Sequence, residues 1–172
     1  MTKVYVSLIA DLLHTGHIGI LQEAKKHGEV TVGLLTSSAA TELEESVYLK
    51  YKQRLDVVEN LSMVSNVIAQ KTASYRENLI NLKPDFVIHG DDWLVGPQAK
   101  FRDEVIELLA DWGGKLIEVP YNSKISDQNV KNQLMKLGIT TVHRLNQLRY
   151  LIDTKKTVLI LESHNALSAL IA

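Results

Sequence analysis

The chain contains no cysteine, and only 3 of its 172 residues are proline. Without cysteine it can form neither disulfides nor thiolate metal sites, so the composition predicts a cytoplasmic protein. The formal net charge is only −1. A charge so close to zero argues against a broad surface for nucleic acid or anionic lipid, although it is compatible with a small basic pocket.

Long apolar runs are absent as well. No stretch reaches the length of a membrane span, and the first residues predict a β-strand instead of a signal peptide. We therefore expect neither a membrane partner nor a nucleic-acid partner. Hydrophobic residues make up 45% of the chain, which is enough to form one hydrophobic core at this length.

Short apolar segments alternate with amphipathic ones along the chain, which predicts an α/β fold. The expected architecture is a doubly wound, Rossmann-like, parallel sheet of five strands with helices on both faces. The predicted strands are 4–9, 30–35, 66–69, 86–89 and 115–119. The predicted helices are 18–26, 50–60, 75–82, 100–111 and 127–137.

The most informative motif is His14-Thr15-Gly16-His17, at the passage from the first strand to the first helix. A helix start offers N–H groups and a partial positive charge, which together attract phosphate. Residues three apart on a helical turn face the same way, so the two imidazoles can address one phosphoryl group. Gly16 lets the backbone come close to a ligand. The motif therefore predicts chemistry at a nucleotide phosphate.

Two further motifs follow predicted strands. Gly90-Asp91-Asp92-Trp93 comes after the fourth strand, and the segment 120–126 comes after the fifth. A doubly wound sheet binds its ligands beyond the carboxyl ends of the strands. Three motifs that are far apart in sequence are thus expected to meet at one edge of the sheet.

The segment 11–17 resembles the signature of the HxGH nucleotidyltransferase superfamily. Gly90-Asp91-Asp92-Trp93, the stretch Tyr51-Lys52-Gln53-Arg54 and the pair Ile125-Ser126 resemble, in matching order, motifs of its cytidylyltransferase branch. Members of that branch act on glycerol phosphate, choline phosphate or ethanolamine phosphate. The resemblance covers residues 3–137.

This resemblance implies transfer of CMP from CTP to a small phosphate or phosphonate, with release of pyrophosphate. It implies His14 and His17 as the catalytic residues, Mg²⁺ at the triphosphate, and a homodimer. Asp11 would contact the metal or position the site. The implied nucleotide- and substrate-binding residues are Asp11, Gly16, Lys50, Arg54, Gly90, Asp91, Asp92, Trp93, Lys124 and Ser126.

The segment 162–169 is similar to the opening of phosphoenolpyruvate mutases, which form the carbon–phosphorus bond of phosphonates. We therefore predict a cytidylyltransferase-like domain over 1–140, followed over 141–172 by a linker helix and the start of a mutase-like barrel. Fused proteins of this kind are known in phosphonate biosynthesis of the fosfomycin type. The resemblance thus implies a fused C-terminal mutase and an acceptor such as 2-hydroxyethylphosphonate.

The chain differs from this branch at positions where members of the branch contact the triphosphate and the acceptor. Leu8 stands where the family has a glycine, which is expected to narrow the space above the first strand. Tyr121 stands where it has a phosphate-binding arginine, 127–128 replace two threonines, and 44–46 align with its loop lysines. The lysines available to replace the missing charges are Lys50, Lys52 and Lys124.

These departures leave three explanations open: an unusual phosphonate acceptor, a nucleotide held differently, or a degenerate domain that serves the mutase as a scaffold. A phosphate ester such as glycerol 3-phosphate is an alternative acceptor. Adenylyl transfer is an alternative reaction, although the 90–93 motif points away from it. Single residues also have structural alternatives: Asp11 and Ser126 as helix caps, Trp93 as core, Asp91 and Asp92 in a solvated turn, and Arg54 on a solvated helix face.

Overall fold

The computed structural model describes residues 1–43, 47–94, 98–120, 149 and 152–154. The chain divides into two compact units, Met1–Gly138 and Ile139–Ala172. The predicted helix 127–137 and the mutase-like segment 162–169 lie outside the described residues. The division into a cytidylyltransferase-like domain and a mutase-like segment therefore stays a prediction.

The first unit contains a sheet of five parallel strands, β1 (Lys3–Leu8), β2 (Glu29–Leu35), β3 (Asn66–Gln70), β4 (Phe86–Gly90) and β5 (Lys115–Val119). Their order across the sheet is β3-β2-β1-β4-β5. The chain thus builds the sheet from the centre to one edge, returns, and then builds the other half. This order confirms the predicted doubly wound, Rossmann-like fold.

The described helices are α1 (Thr15–His27), α2 (Ser37–Glu42), α3 (Tyr51–Val58), α4 (Arg76–Leu82) and α5 (Ala99–Ala110). Helix α1 begins three residues before its predicted start because His14 caps it. Helix α2 was not predicted, since six residues are too few to show a helical period. Among the helices of the described part, none is long and apolar enough to cross a membrane.

Two hydrophobic clusters cover the opposite faces of the sheet. Val6 of β1 packs on one face with Leu21 of α1 and residues of α3. Its neighbour Tyr5 packs on the other face with Leu79 of α4 and residues of α5. Because successive side chains of a strand point to opposite faces, the central strand β1 is buried on both sides. The helices therefore lie on both faces, as predicted.

A buried polar network lies on the α4 and α5 face. The side-chain oxygen of Gln70 accepts hydrogen bonds from the hydroxyls of Tyr5 and Ser7, each at 2.8 Å. Asn78 of α4 donates to the Tyr5 hydroxyl at 2.9 Å. Burial raises the pKa of the Tyr5 hydroxyl far above its usual range, so it keeps its proton and donates. The network joins β1 to β3 across the intervening β2.

Gly33 in β2 makes room for this network, and its replacement tests the packing. A Cβ at Gly33 would overlap the Tyr5 hydroxyl, whereas a Cβ at Gly19 in α1 would meet nothing within 4 Å. We expect Gly33→Ala to lower the free energy of unfolding by about 1–3 kcal/mol. The matched Gly19→Ala should raise it by about 0.5–1 kcal/mol, because alanine favours a helix. Urea unfolding measures both, and a shift of the same sign in both variants would contradict this packing.

Candidate active site

The carboxyl ends of β1, β4 and β5 lie side by side at one edge of the sheet, because β4 pairs with both other strands in parallel. The 14–17 motif follows β1, and the 90–93 motif begins at the last residue of β4. The segment after β5 starts at Pro120 and leaves the described residues at 121. The fold thus brings the first two predicted motifs to one edge, while the placement of the third stays a prediction.

The two histidines of the 14–17 motif build the start of α1. His14 is the N-cap residue, and its Nδ1 accepts a hydrogen bond from the backbone N–H of Gly16 at 3.0 Å. In return, the Nδ1 of His17 accepts from the backbone N–H of His14 at 3.4 Å. This arrangement is a capping box in which imidazoles replace the usual Ser and Glu side chains. The motif therefore fixes the helix start and both rings at once.

The capping box also selects the tautomer of both imidazoles. A ring nitrogen that accepts a hydrogen bond carries no proton, so in the neutral forms of His14 and His17 the proton sits on Nε2. The two ring centroids are 4.2 Å apart, with a tilt of 40° between the planes. His17 is buried and His14 is half-buried. The result is a pair of neighbouring N–H donors, the type of group that stabilises negative charge on phosphoryl oxygens.

The backbone at the start of α1 adds to this anion-binding character. The first turn of α1 contains no acidic side chain, and its basic residues lie in the last turn. No carboxylate of the first turn therefore opposes the partial positive charge of the helix dipole. Gly16, predicted to lie close to substrate, is the second residue of this turn.

Asp11 anchors a neighbouring loop. Its carboxylate, only 2% exposed, accepts hydrogen bonds from the backbone N–H groups of Tyr48 and Leu49 at 2.8–2.9 Å. The preceding Ala10 has a left-handed φ of 54°, which residues other than glycine rarely adopt. These contacts match the positioning role that the sequence left open for Asp11, and they do not match its alternative as a cap of α1.

The geometry of Asp11 does not fit a magnesium ligand, because its oxygens are buried and already accept backbone hydrogen bonds. Among the described residues, no cluster of three or more metal-ligating side chains is present. A nucleotide-bound Mg²⁺ needs only one or two carboxylates, since the phosphates supply further ligands. Magnesium itself thus stays a prediction, and the predicted role of Asp11 as its ligand is not supported by this geometry.

Arg54 of α3 is completely buried, contrary to a place on a solvated helix face. Its Nη1 donates to the carbonyl of Ile9 at 2.6 Å and to that of Leu35 at 2.8 Å. Its Nε donates to the carbonyl of Leu49 at 3.3 Å. The guanidinium therefore joins the chain after β1 to the end of β2. Arg54 therefore holds the backbone around the site in place, and its contact with nucleotide stays a prediction.

Lys50 lies between the loop that Asp11 anchors and the helix that carries Arg54. It is the N-cap residue of α3, and its backbone N–H donates to the side chain of Gln53 at 2.9 Å. Its side chain is exposed. Lys50 is thus held by its backbone at a helix start with an exposed side chain, which is compatible with the predicted contact to substrate.

The 90–93 motif forms a tight turn. Gly90 is buried at the end of β4, and Asp91–Trp93 make one turn of 3₁₀-helix. Asp91 is half-buried, whereas Trp93 is 1% exposed and belongs to the core on the α4 and α5 face. The structure therefore gives Trp93 the packing role that was its alternative. The indole ring is almost fully covered by protein, and the predicted contact of Trp93 with a ligand stays a prediction.

Trp93 is held by His89, Glu118 and Arg102. The His89 ring stacks on the indole, with centroids 3.8 Å apart and an angle of 12° between the planes. The indole N–H donates to Oε1 of Glu118 at 2.8 Å. Glu118 also accepts from Nε and Nη2 of Arg102, at 2.8 and 3.0 Å. The bidentate bond from Arg102, together with the indole bond, holds the pKa of the Glu118 carboxyl below its usual range against the opposing effect of burial.

Several predicted residues cannot be placed. Lys124 and Ser126 lie outside the described residues, as do Tyr121 and the segment 127–128. Of Asp92, only its position in the turn is described. Leu8, which stands where the family has a glycine, is buried in the hydrophobic cluster that also contains residues of α1, and the expected narrowing above β1 stays a prediction.

A family model described as cytidylyltransferase-like matches residues 9–126, which is more than half of the chain. The chain belongs to the cytidylyltransferase-like family. It is thus a nucleotidyltransferase of this type, in agreement with the resemblance of its 11–17 segment. The match ends at Ser126, the last predicted site residue.

Relatives of known activity share this region. The chain is 28% identical over 139 residues to glycerol-3-phosphate cytidylyltransferase of Bacillus subtilis, covering 80% of this chain and 100% of the relative. It is 27% identical over 127 residues to FAD synthase of Methanohalobium evestigatum, covering 74% and 81%. The crystal structure of the lipopolysaccharide core biosynthesis protein from Thermoplasma volcanium is similar with a TM-score of 0.62 at 25% identity, covering 71% of this chain and 98% of that one.

Proposed function

We propose that this nucleotidyltransferase transfers CMP from CTP to a small acceptor that carries a phosphonate or phosphate group. The observation that carries the proposal is the capping box of His14 and His17, which leaves both imidazoles as Nε2–H donors at a helix start. Donors of this kind suit an α-phosphate, where charge develops during transfer.

In the proposed reaction an oxygen of the acceptor attacks the α-phosphorus of CTP. A new phosphorus–oxygen bond forms, the bond from the α-phosphorus to the oxygen bridging to the β-phosphate breaks, and pyrophosphate leaves with the electron pair. The attacking oxygen is already an anion at neutral pH, so the site needs no strong general base. Positioning and stabilisation of charge are then the main tasks of the protein.

The residues of this chain divide those tasks. His14 and His17 would donate to the α-phosphoryl oxygens, and the first turn of α1 adds its dipole. Arg54 and Asp11 would act as positioning residues, because they hold the loop after β1 and the loop before α3. Mg²⁺, when bound to the triphosphate, would neutralise part of its charge. Lys50, Lys124 and Ser126 would complete the contacts to the phosphates.

For the acceptor we propose a small phosphonate such as 2-hydroxyethylphosphonate. The similarity of 162–169 to phosphoenolpyruvate mutases supports it, since such a mutase would supply the carbon–phosphorus bond. Glycerol 3-phosphate is the second candidate, supported by the Bacillus subtilis relative, of which this chain covers the full length. Both offer an anionic oxygen to the same α-phosphorus, so the catalytic residues have the same roles with either.

Adenylyl transfer is a second candidate reaction, because relatives named FAD synthase make a product that contains an adenine nucleotide. The two reactions differ in the base but not in the chemistry at the α-phosphate. The remaining possibility is that the domain has no activity and serves as a scaffold. Tyr121, which stands where the family has a phosphate-binding arginine, supports it.

A substrate matrix distinguishes these candidates. Each of CTP and ATP is incubated with Mg²⁺ and one of 2-hydroxyethylphosphonate, 2-aminoethylphosphonate, glycerol 3-phosphate or FMN, and the products are identified by mass. We expect the CMP adduct of a phosphonate. If products form with ATP but not with CTP, the proposed nucleotide is wrong. If glycerol 3-phosphate is the only acceptor that forms an adduct, the proposed phosphonate acceptor is wrong. Absence of every adduct would support the scaffold.

A further inference from the structure

We propose that Arg102 and Glu118 are positioning residues that hold the Asp91–Trp93 turn in the conformation that binds CTP. This inference rests on the proposed function and adds two residues to its machinery. Neither belongs to a motif that the sequence resemblance identified, and both are joined to the turn through Trp93.

The position of Glu118 gives it this role. It lies one residue before the end of β5, directly opposite His89 in β4. Its Oε1 accepts from both the Trp93 indole and Arg102 Nε, and its Oε2 accepts from Arg102 Nη2. One carboxylate therefore joins β5, α5 and the 3₁₀ turn.

Trp93 connects Glu118 to the 90–93 motif. The indole is clamped between the stacked His89 ring on its face and Glu118 at its N–H. Tyr75 lies against it as well, with ring centroids 5.7 Å apart. Since Trp93 directly follows Asp91 and Asp92, a change in the indole position moves the backbone that carries these two carboxylates. A shift of an ångström at such a site is costly for a bound substrate.

Arg102 has a second task, which is electrostatic. The side chains of Glu118 and Arg102 are only 24% and 29% exposed, and they form a bidentate pair. An unpaired carboxylate at this edge would repel a triphosphate, and the guanidinium cancels its charge. Positioning and charge predict opposite results when Glu118 is removed. Loss of a repelling charge would tighten CTP binding, whereas loss of the clamp would weaken it.

The test measures CTP binding by calorimetry in the presence of Mg²⁺, well below the unfolding temperature of each variant. We expect Glu118→Ala and Arg102→Met to raise the Kd about tenfold, because the turn is no longer held in its binding geometry. Glu118→Gln keeps an acceptor for the indole N–H and should change the Kd less than about threefold. Glu23→Ala is the matched control, since it removes an ion pair with Lys26 on α1 away from this cluster.

A spectroscopic readout separates positioning from stability. The chain has two tryptophans, so a Trp112→Phe background leaves Trp93 as the fluorophore. Glu118→Ala should shift its emission and Glu118→Gln should leave it close to the starting value. An unchanged or tighter Kd in Glu118→Ala would overturn this inference. If the starting protein binds CTP but forms no adduct, only the proposed function fails, and if it binds no CTP, both fail.

Discussion

Replacing both histidines of the 14–17 motif with residues that keep the helix start should lower the rate of nucleotidyl transfer by about 10²–10³-fold or more. Asparagine is a good N-cap residue, and glutamine is a usual third residue of a capping box. The variant His14→Asn/His17→Gln therefore removes both imidazoles while it preserves the two backbone hydrogen bonds that they now make. The rate is measured as pyrophosphate release at saturating CTP and acceptor.

This design separates chemistry from stability. Because the cap is kept, the unfolding temperature of the variant should stay close to that of the starting protein. His27→Ala is the matched control, since His27 lies at the other end of α1 and contacts Glu23 and Phe86. We expect its rate to be unchanged. A double variant that keeps its full rate would show that the imidazoles only cap the helix.

Arg54→Met should cause the largest loss of stability, about 3–5 kcal/mol, because hydrogen bonds from a charged donor to buried carbonyls are strong. The substitution leaves the carbonyls of Ile9 and Leu35 without this donor at the edge of the sheet. For a domain of this size the unfolding temperature should fall by roughly 10 °C. Urea and thermal unfolding measure the two quantities.

Two further variants serve as comparisons for Arg54→Met. Lys52→Met, on the same helix, removes an exposed ion pair with Asp56 and should change the free energy of unfolding by less than about 1 kcal/mol. Arg54→Lys keeps one donor group and should recover part of the loss. If Arg54→Met is as stable as Lys52→Met but no longer binds CTP, Arg54 acts on the nucleotide and the present account of its role is wrong.

The sequence predicted the fold well because the fold depends on local patterns. The central strands are recognisable by their apolar residues. The first and last residues of every strand lie within one residue of the predicted ones. The first residue of α1 was predicted three residues too late, because an imidazole is an unusual cap, although the 14–17 motif was expected at the helix start. Helix α2 was missed because its six residues, capped by Thr36, carry too short a pattern.

The candidate site was only partly predictable. The 14–17 motif is local, and its residues meet within one turn of helix. The roles of Arg54, Trp93 and Glu118 depend instead on contacts between residues 16–45 positions apart, which no local pattern encodes. A buried arginine on a short helix and a glutamate near a strand end look like surface residues in the sequence. Their burial and pairing became visible only once the strands were in order.

Phosphorus NMR shows directly whether this chain carries out chemistry at the α-phosphorus of CTP. The protein is incubated with CTP, Mg²⁺ and 2-hydroxyethylphosphonate, and the signals of both substrates are followed over time. We expect pyrophosphate and a CMP–phosphonate adduct to appear in equal amounts, and neither to appear with His14→Asn/His17→Gln. Release of inorganic phosphate with CDP, or equal product formation by the variant, would contradict it.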